Sequence, residues 1–216
     1  MRIRLGACLT EEPTVCPRCG QDIVERTGAH GLCCATPEAT RGHYGVRDSV
    51  LALVHIADTS ASVEVPELIA SAPGLRPADI FTSAALPGGQ AALDIGICSP
   101  DATGAGSDCV ESMWRRKTAV YAMHLEEIRR TGVTYVPLVA SCYGRLHPEM
   151  SVILERIALQ AARRLGVGDY SSMLRRATSA LGVAIWRRAV AMARACLPTL
   201  PAESLQVLFG GDVDGG

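Results

Sequence analysis

Two cysteines in one reversal, followed by a histidine and a cysteine pair, constrain this chain more than any other feature. Cys16-Pro-Arg-Cys19 is a C-x-x-C turn, His30 follows, and Cys33-Cys34 comes next. A C-x-x-C turn presents two soft ligands from one backbone reversal, and tetrahedral zinc needs two more. His30 and Cys34 complete the set, and the three-residue gap between them favours Cys34 over Cys33 because it suits a short turn or helix start. A thioredoxin-type motif would follow a strand and open a helix. Here residues 1–40 are rich in Cys, Gly, Pro and Thr and lack sustained periodicity. They are expected to form a loop-rich zinc knuckle at residues 1–40. Four protein ligands leave no position for water, so this zinc is expected to be structural. Cys8 has no assigned role.

Nine cysteines could also mean disulfides. The opening MRIRLGACLTEEP has no apolar signal region, however, and no run approaches transmembrane length. The expectation is a reducing compartment, free or metal-bound thiols and no membrane partner. The start at Met1 and the trailing GGDVDGG are read as marks of a longer polyprotein or a truncated copy. At 216 residues there is room for one well-buried domain plus a small appendage. Aromatics are only 4%, so Ala, Leu, Val and Ile must build the core. The net charge of -1 gives no bulk attraction to a polyanion, and any nucleic-acid contact must come from local arginines. Of 21 basic residues, Lys117 alone is lysine. A lysine kept in an arginine-biased chain marks a place where a compact point charge is needed instead of a guanidinium fork.

Apolar spacing predicts a helix over 41–57. Three strands follow, at 62–69 (SVEVPELI), 76–83 (RPADIFTS) and 91–98 (AALDIGIC), separated by Pro-Gly turns. A loop over 99–108 precedes a long helix over 109–130, a strand over 133–140, and two helices between 148 and 196 joined at Gly166-Val-Gly168. This divides the chain into a knuckle at 1–40, an α/β core at 41–147, a helical extension at 148–197 and a disordered tail at 198–216.

Asp79 opens one predicted strand and Asp94 lies inside the apolar next one. A hairpin through Pro87-Gly-Gly would set the two carboxylates side by side. An aspartate in an apolar strand is costly to bury without compensation, and a divalent cation bridging both acids supplies it. Mg²⁺ (or Mn²⁺) takes one or two carboxylates plus water and substrate phosphate. Glu64 is the favoured third ligand over Glu67, because strand alternation sets Val63 and Val65 on the other face. Lys117, with Tyr121 one turn later on the same helix face, is placed to orient a nucleophile and to offset charge on a phosphoryl transition state.

In order and spacing, CPRC…HGLCC at 16–34, Arg41-Gly-His43…Val46-Arg-Asp48, RPAD at 76–79, LDIGI at 93–97 and Lys117-x-x-x-Tyr121 resemble a known nuclease family. It is the restriction-enzyme-like, PD-(D/E)XK endonuclease domain that follows reverse transcriptase in non-LTR retrotransposon polyproteins. The resemblance runs from about Cys16 to Gly144. It implies an α/β fold whose core is a helix, a three-strand meander, a helix and a strand, with C-terminal helices added. It further implies Mg²⁺-dependent nicking of target DNA, nuclear localisation, and element RNA and the rest of the polyprotein as partners. Asp79 and Asp94 match the metal-holding acids, with Glu64, Lys117 and Tyr121 completing the expected catalytic group. Two departures stand out: Ala78 separates Pro77 from Asp79, and Gly96 occupies the usual lysine position. The family's remedy for the second is a lysine on the next helix, here Lys117.

Candidate nucleic-acid contacts are Arg41, His43, Arg47, Arg76, Arg115 and Arg116, with Arg129, Arg130, Arg145 and His147 as further possibilities or as solvated faces balanced by Glu126, Glu127 and Glu149. Trp114 and Trp186 are read as packing residues. The alternatives to a nuclease are a catalytically inactive, zinc-containing nucleic-acid-binding module and an assembly domain of a larger polyprotein.

Overall fold

The computed structural model describes residues 12–20, 23–34, 37–102 and 104–196. Residues 198–216, expected to be disordered, and Cys8 lie outside them. A small antiparallel pair, β1 (Thr14–Val15) and β2 (Ile23–Val24), begins the described chain and leads into a 3-10 turn over Ala29–Leu32. Helix α1 (Pro37–Ala57) follows and buries Val46, Val50, Leu53 and Val54 along one stripe.

Strands β3 (Ser62–Val63), β4 (Ile80–Leu86) and β5 (Gly89–Cys98) form an antiparallel meander, and β6 (Val133–Ser141) pairs with β5 in parallel. The sheet order is β3-β4-β5-β6, so the fold is mixed α/β with a four-stranded mixed sheet. A parallel pair needs a crossover, and α2 (Cys109–Tyr121) and α3 (Leu125–Arg130) provide it. Helix α2 starts at Asp108, whose carboxylate accepts from the Val110 and Glu111 amides at 3.0 Å each. Helices α4 (Pro148–Leu165) and α5 (Ser171–Cys196) end the described chain; Pro148 opens α4, and Gly166, at φ +68°, closes it.

Strand alternation sorts the side chains into two cores. Leu93, Ile95, Val136 and Leu138 pack with α1, α4 and α5, while Ala92 and Tyr135 pack with Tyr121 and Ile128 from the crossover. Helices therefore cover both faces of the sheet. Asp94 lies on the crossover face, the face that decides its partners.

Three predicted elements differ. The strand over 62–69 stops after Val63, because Glu64 and Glu67 have φ of +50° and +62° and Pro66 has no amide to donate. The strand over 76–83 begins only at Ile80, so Asp79 stands just before it. The helix over 109–130 is interrupted by a 3-10 turn at Ala122–His124, which re-aims α3 so that Ile128 is buried in the core that Tyr121 and Tyr135 share. Among the described residues no helix is long and apolar enough to cross a membrane.

Candidate functional site

Hairpin register builds the acidic site. Ile80 pairs with Leu93, and the Asp79 amide donates to the Leu93 carbonyl at 2.9 Å, which brings Asp79 beside Asp94. The Asp79 carboxylate accepts from the Ile95 amide at 2.7 Å and lies 3.2 Å from His43 Nε2 of α1. Burial opposes its charge, but the His43 hydrogen bond and charge, the Ile95 amide and Lys117 outweigh burial and hold the carboxyl below its usual range.

Asp94 is 9% exposed and is gripped from two sides. Lys117 Nζ donates to Oδ1 at 2.6 Å, and the Tyr135 hydroxyl donates to Oδ2 at 2.6 Å. Burial still pushes this carboxyl up, and the neighbouring Asp79 adds to the rise against the pull of Lys117 and Tyr135. Two acids of one sign are thus crowded in a partly buried site, each compensated by groups of the chain itself.

Lys117 reaches this position across Gly96. A methyl group at residue 96 would lie 2.6 Å from Lys117 Cε and 3.4 Å from Met113 Cγ. The glycine at the expected strand-lysine position thus leaves the space through which a lysine from the next helix enters.

The remaining expected catalytic residues are placed otherwise. Tyr121 is buried, its hydroxyl donates to the Arg76 carbonyl at 3.2 Å, and its ring packs 4.7 Å from Tyr135. Burial, then the charges of Asp94 and Asp79, push its hydroxyl up to about 12. Tyr135 of β6, outside the expected catalytic group, holds Asp94 instead; only the parallel pairing with β5 brings it near. Glu64 does not join Asp94. Its left-handed backbone cancels the alternation argument, and its carboxylate pairs with Arg47 at 2.8 Å and Arg76 at 3.8 Å. It nevertheless lines, with His43, Tyr44, Arg76 and Asp79, an open groove of about 490 Å³.

Several expected nucleic-acid contacts are paired within the chain. Arg41 binds Glu38 at 2.7 Å, Arg115 binds Glu111 at 2.6 Å, and Arg129 binds Glu126 at 3.2 Å. Arg130 reaches Glu126 at 3.4 Å and Arg145 pairs with Asp108. Arg47 also lies 4.8 Å over the Tyr44 ring, while Arg116 donates to the Met113 sulfur at 3.0 Å. His147 stacks on Trp114, whose indole donates to Glu149 at 2.5 Å.

The knuckle residues do converge. The ligand atoms of Cys16, Cys19, His30 and Cys34 all lie within 4.8 Å of one another, so this set could hold a metal ion such as zinc. Gly20 N donates to Cys16 O at 2.8 Å and tightens the C-x-x-C turn, while Cys34 N donates to His30 O at 2.9 Å and makes the second. Burial pushes the Cys34 thiol up to about 11, with Cys16 and Cys19 adding to the rise, which is the condition a bound cation relieves. Cys33 is exposed and outside the set. The knuckle docks on α5: the Cβ position of Gly31 is 3.0 Å from the Ala193 backbone, and Cys196 is buried with Cys16, Val24 and Cys34.

No family model matches this chain, and no curated protein or solved structure matches it either.

Proposed function

We propose that this chain is a metal-dependent DNA endonuclease domain of the PD-(D/E)XK type with a structural zinc knuckle. The observation that carries the reading is the meeting of Asp79, Asp94 and Lys117 at one point, with Gly96 leaving the passage for the lysine. The helix, meander, crossover and parallel strand support the reading. Fold alone does not establish activity, so the reading rests on the site.

Asp79 and Asp94 would hold Mg²⁺ (or Mn²⁺). The bound ion would supply Lewis-acid polarisation of the phosphate and a more acidic water. Lys117 offsets the negative charge that grows on the phosphoryl oxygens and keeps Asp94 in its rotamer. His43 does the same for Asp79 from the groove side. In the reaction a P–O bond forms to water and the P–O3′ bond breaks, leaving a 3′-hydroxyl that takes a proton and a 5′-phosphate. Such a 3′-end suits the priming of reverse transcription, the task implied by the resemblance to retrotransposon polyproteins; nuclear DNA is the substrate in this reading, with element RNA and the remaining polyprotein as partners. Mg²⁺-dependent relaxation of supercoiled plasmid tests the reading, and its loss in Asp79→Asn or Asp94→Asn is the expected control.

A second reading has its own support. Lys117 and Tyr135 satisfy both oxygens of Asp94 without any cation. A catalytically inactive nucleic-acid-binding module would keep such a network for stability. It predicts DNA binding unaffected by Asp79→Ala and no strand scission in Mg²⁺ or Mn²⁺.

A further inference from the structure

Beyond Gly96, the C-terminal end of β5, the start of α2, the 3-10 turn of the knuckle and α5 enclose a cavity of about 250 Å³. Arg188 and Arg116 line it together with Ser99 and Ser112, and no carboxylate is among the lining residues. Arg41, Arg47, Arg115, Arg129 and Arg145, by contrast, each have an acid.

Arg188 is the unusual member. Burial weighs against its charge, and the groups around it are the thiols of Cys142, Cys33 and Cys98, each pushed up by burial and therefore uncharged at neutral pH. Its Nε donates to the Ala39 carbonyl at 3.4 Å, and among the described residues it meets no carboxylate. A guanidinium partly taken out of water without an anion is unfavourable. The chain nevertheless makes room for it: a methyl group at Gly42 of α1 would lie 2.3 Å from Arg188 Cγ. Arg116 also meets no acid among the described residues; its guanidinium touches the Met113 sulfur at the cavity wall. Two forked donors and the Ser112 hydroxyl around one space match the oxygens of a phosphate, while the Ser99 hydroxyl is already given to Asp101 at 3.3 Å.

The cavity adjoins the acidic site. Met113 and Arg116 line it, and Met113 touches the Gly96 position that Lys117 crosses. We infer that this cavity is a phosphate subsite, in which Arg188 and Arg116 hold a backbone phosphodiester of the DNA strand that is cut, next to the linkage held at Asp79 and Asp94. The identity of the strand rests on the nuclease reading; the phosphate chemistry does not.

The test uses the full chain in Ca²⁺, with duplex oligonucleotides carrying one neutral methylphosphonate linkage walked along either strand. Wild type is expected to lose about tenfold affinity at one linkage. Arg188→Met and Arg116→Met lose a similar factor on unmodified DNA, nothing further at that linkage, and about one in the salt slope. Arg188→Lys recovers part of the loss, and Gly42→Ala reproduces it by displacing Arg188. If Arg188→Met fails to fold, Arg116→Met and the methylphosphonate walk still decide. Unchanged affinity in folded variants, or a flat walk, overturns the subsite even where plasmid nicking succeeds. A coupled linkage in a chain that never nicks keeps the subsite and removes the nuclease reading. Inorganic phosphate that raises the melting temperature of wild type but not of Arg188→Met, with a flat walk, marks a free-anion site and overturns the strand assignment.

Discussion

Lys117 crosses β5 directly over Gly96, so near that a methyl group there would meet Lys117 Cε at 2.6 Å, and it ends on Asp94 at 2.6 Å. The empty side-chain position and the helix-borne amine are two halves of one arrangement. Gly96→Ala must therefore move the ammonium away from the carboxylate while leaving the strand intact. We expect nicking to fall about a hundredfold, the scale on which a displacement of an ångström acts. Gly96→Ala with Lys117→Met should be no slower than Lys117→Met alone, because both changes remove the same amine. Gly96→Lys with Lys117→Met moves the amine to the strand and should restore part of the rate; initial rates for the four variants and wild type decide it.

The two tyrosines beside the site should separate cleanly. Tyr135→Phe removes a donor from buried Asp94, and hydrogen bonds to charged groups are worth about 1.5–3 kcal/mol. Its unfolding midpoint in urea should drop accordingly, and its nicking rate should fall about tenfold. Tyr121→Phe removes only a bond to the Arg76 carbonyl and should cost about 1 kcal/mol with activity nearly unchanged.

Metal content distinguishes the paired cysteines of the knuckle. Cys34→Ser breaks the converging set and should reduce zinc from one per chain to near none, with loss of the docked knuckle on α5. Cys33→Ser should keep full zinc, because its thiol is exposed and outside the set. Elemental analysis of both proteins is sufficient.

Asp58 offers a pH test away from the metal sites. Burial opposes its charge, but the Ser60 hydroxyl, the Ser83 amide and the Thr82 and Ser83 hydroxyls hold the carboxyl far below its ordinary 3.8. A carboxyl depressed in the folded state stabilises above its unfolded value, and that stability is lost as pH falls through the folded value. Asp58→Asn should thus be less stable by about 2 kcal/mol at pH 7. The difference should narrow as pH drops below 3.8. Parallel urea titrations at pH 7 and at acid pH check the sign.

The knuckle was legible because its ligands are set by spacings of a few residues, which local turns translate directly into positions. The Asp79–Asp94 pairing was legible for a similar reason, since a short hairpin carries its register with it. Residues 64–69 and 76–79 are not strand: apolar and β-branched residues in SVEVPELI imply one, while Pro66 and two left-handed glutamates end it. Neither left-handed backbone is visible in composition, and with it went the reason for assigning Glu64 to the cation. The break at Ala122–His124 has no local breaker and follows from burying Ile128. Tyr135 was missed because its role depends on a parallel register with β5, and Arg188 because two distant helices define its surroundings.

The most direct test of the central claim is plasmid nicking by purified chain in Mg²⁺, run beside Asp94→Asn and Lys117→Met proteins of matched circular dichroism and zinc content. The account predicts open-circular product from wild type, a loss of at least about a hundredfold in both variants, and none of the product in EDTA. Supercoiled DNA left intact by the wild-type protein in both Mg²⁺ and Mn²⁺, or nicking that persists at full rate in the two variants, would contradict it.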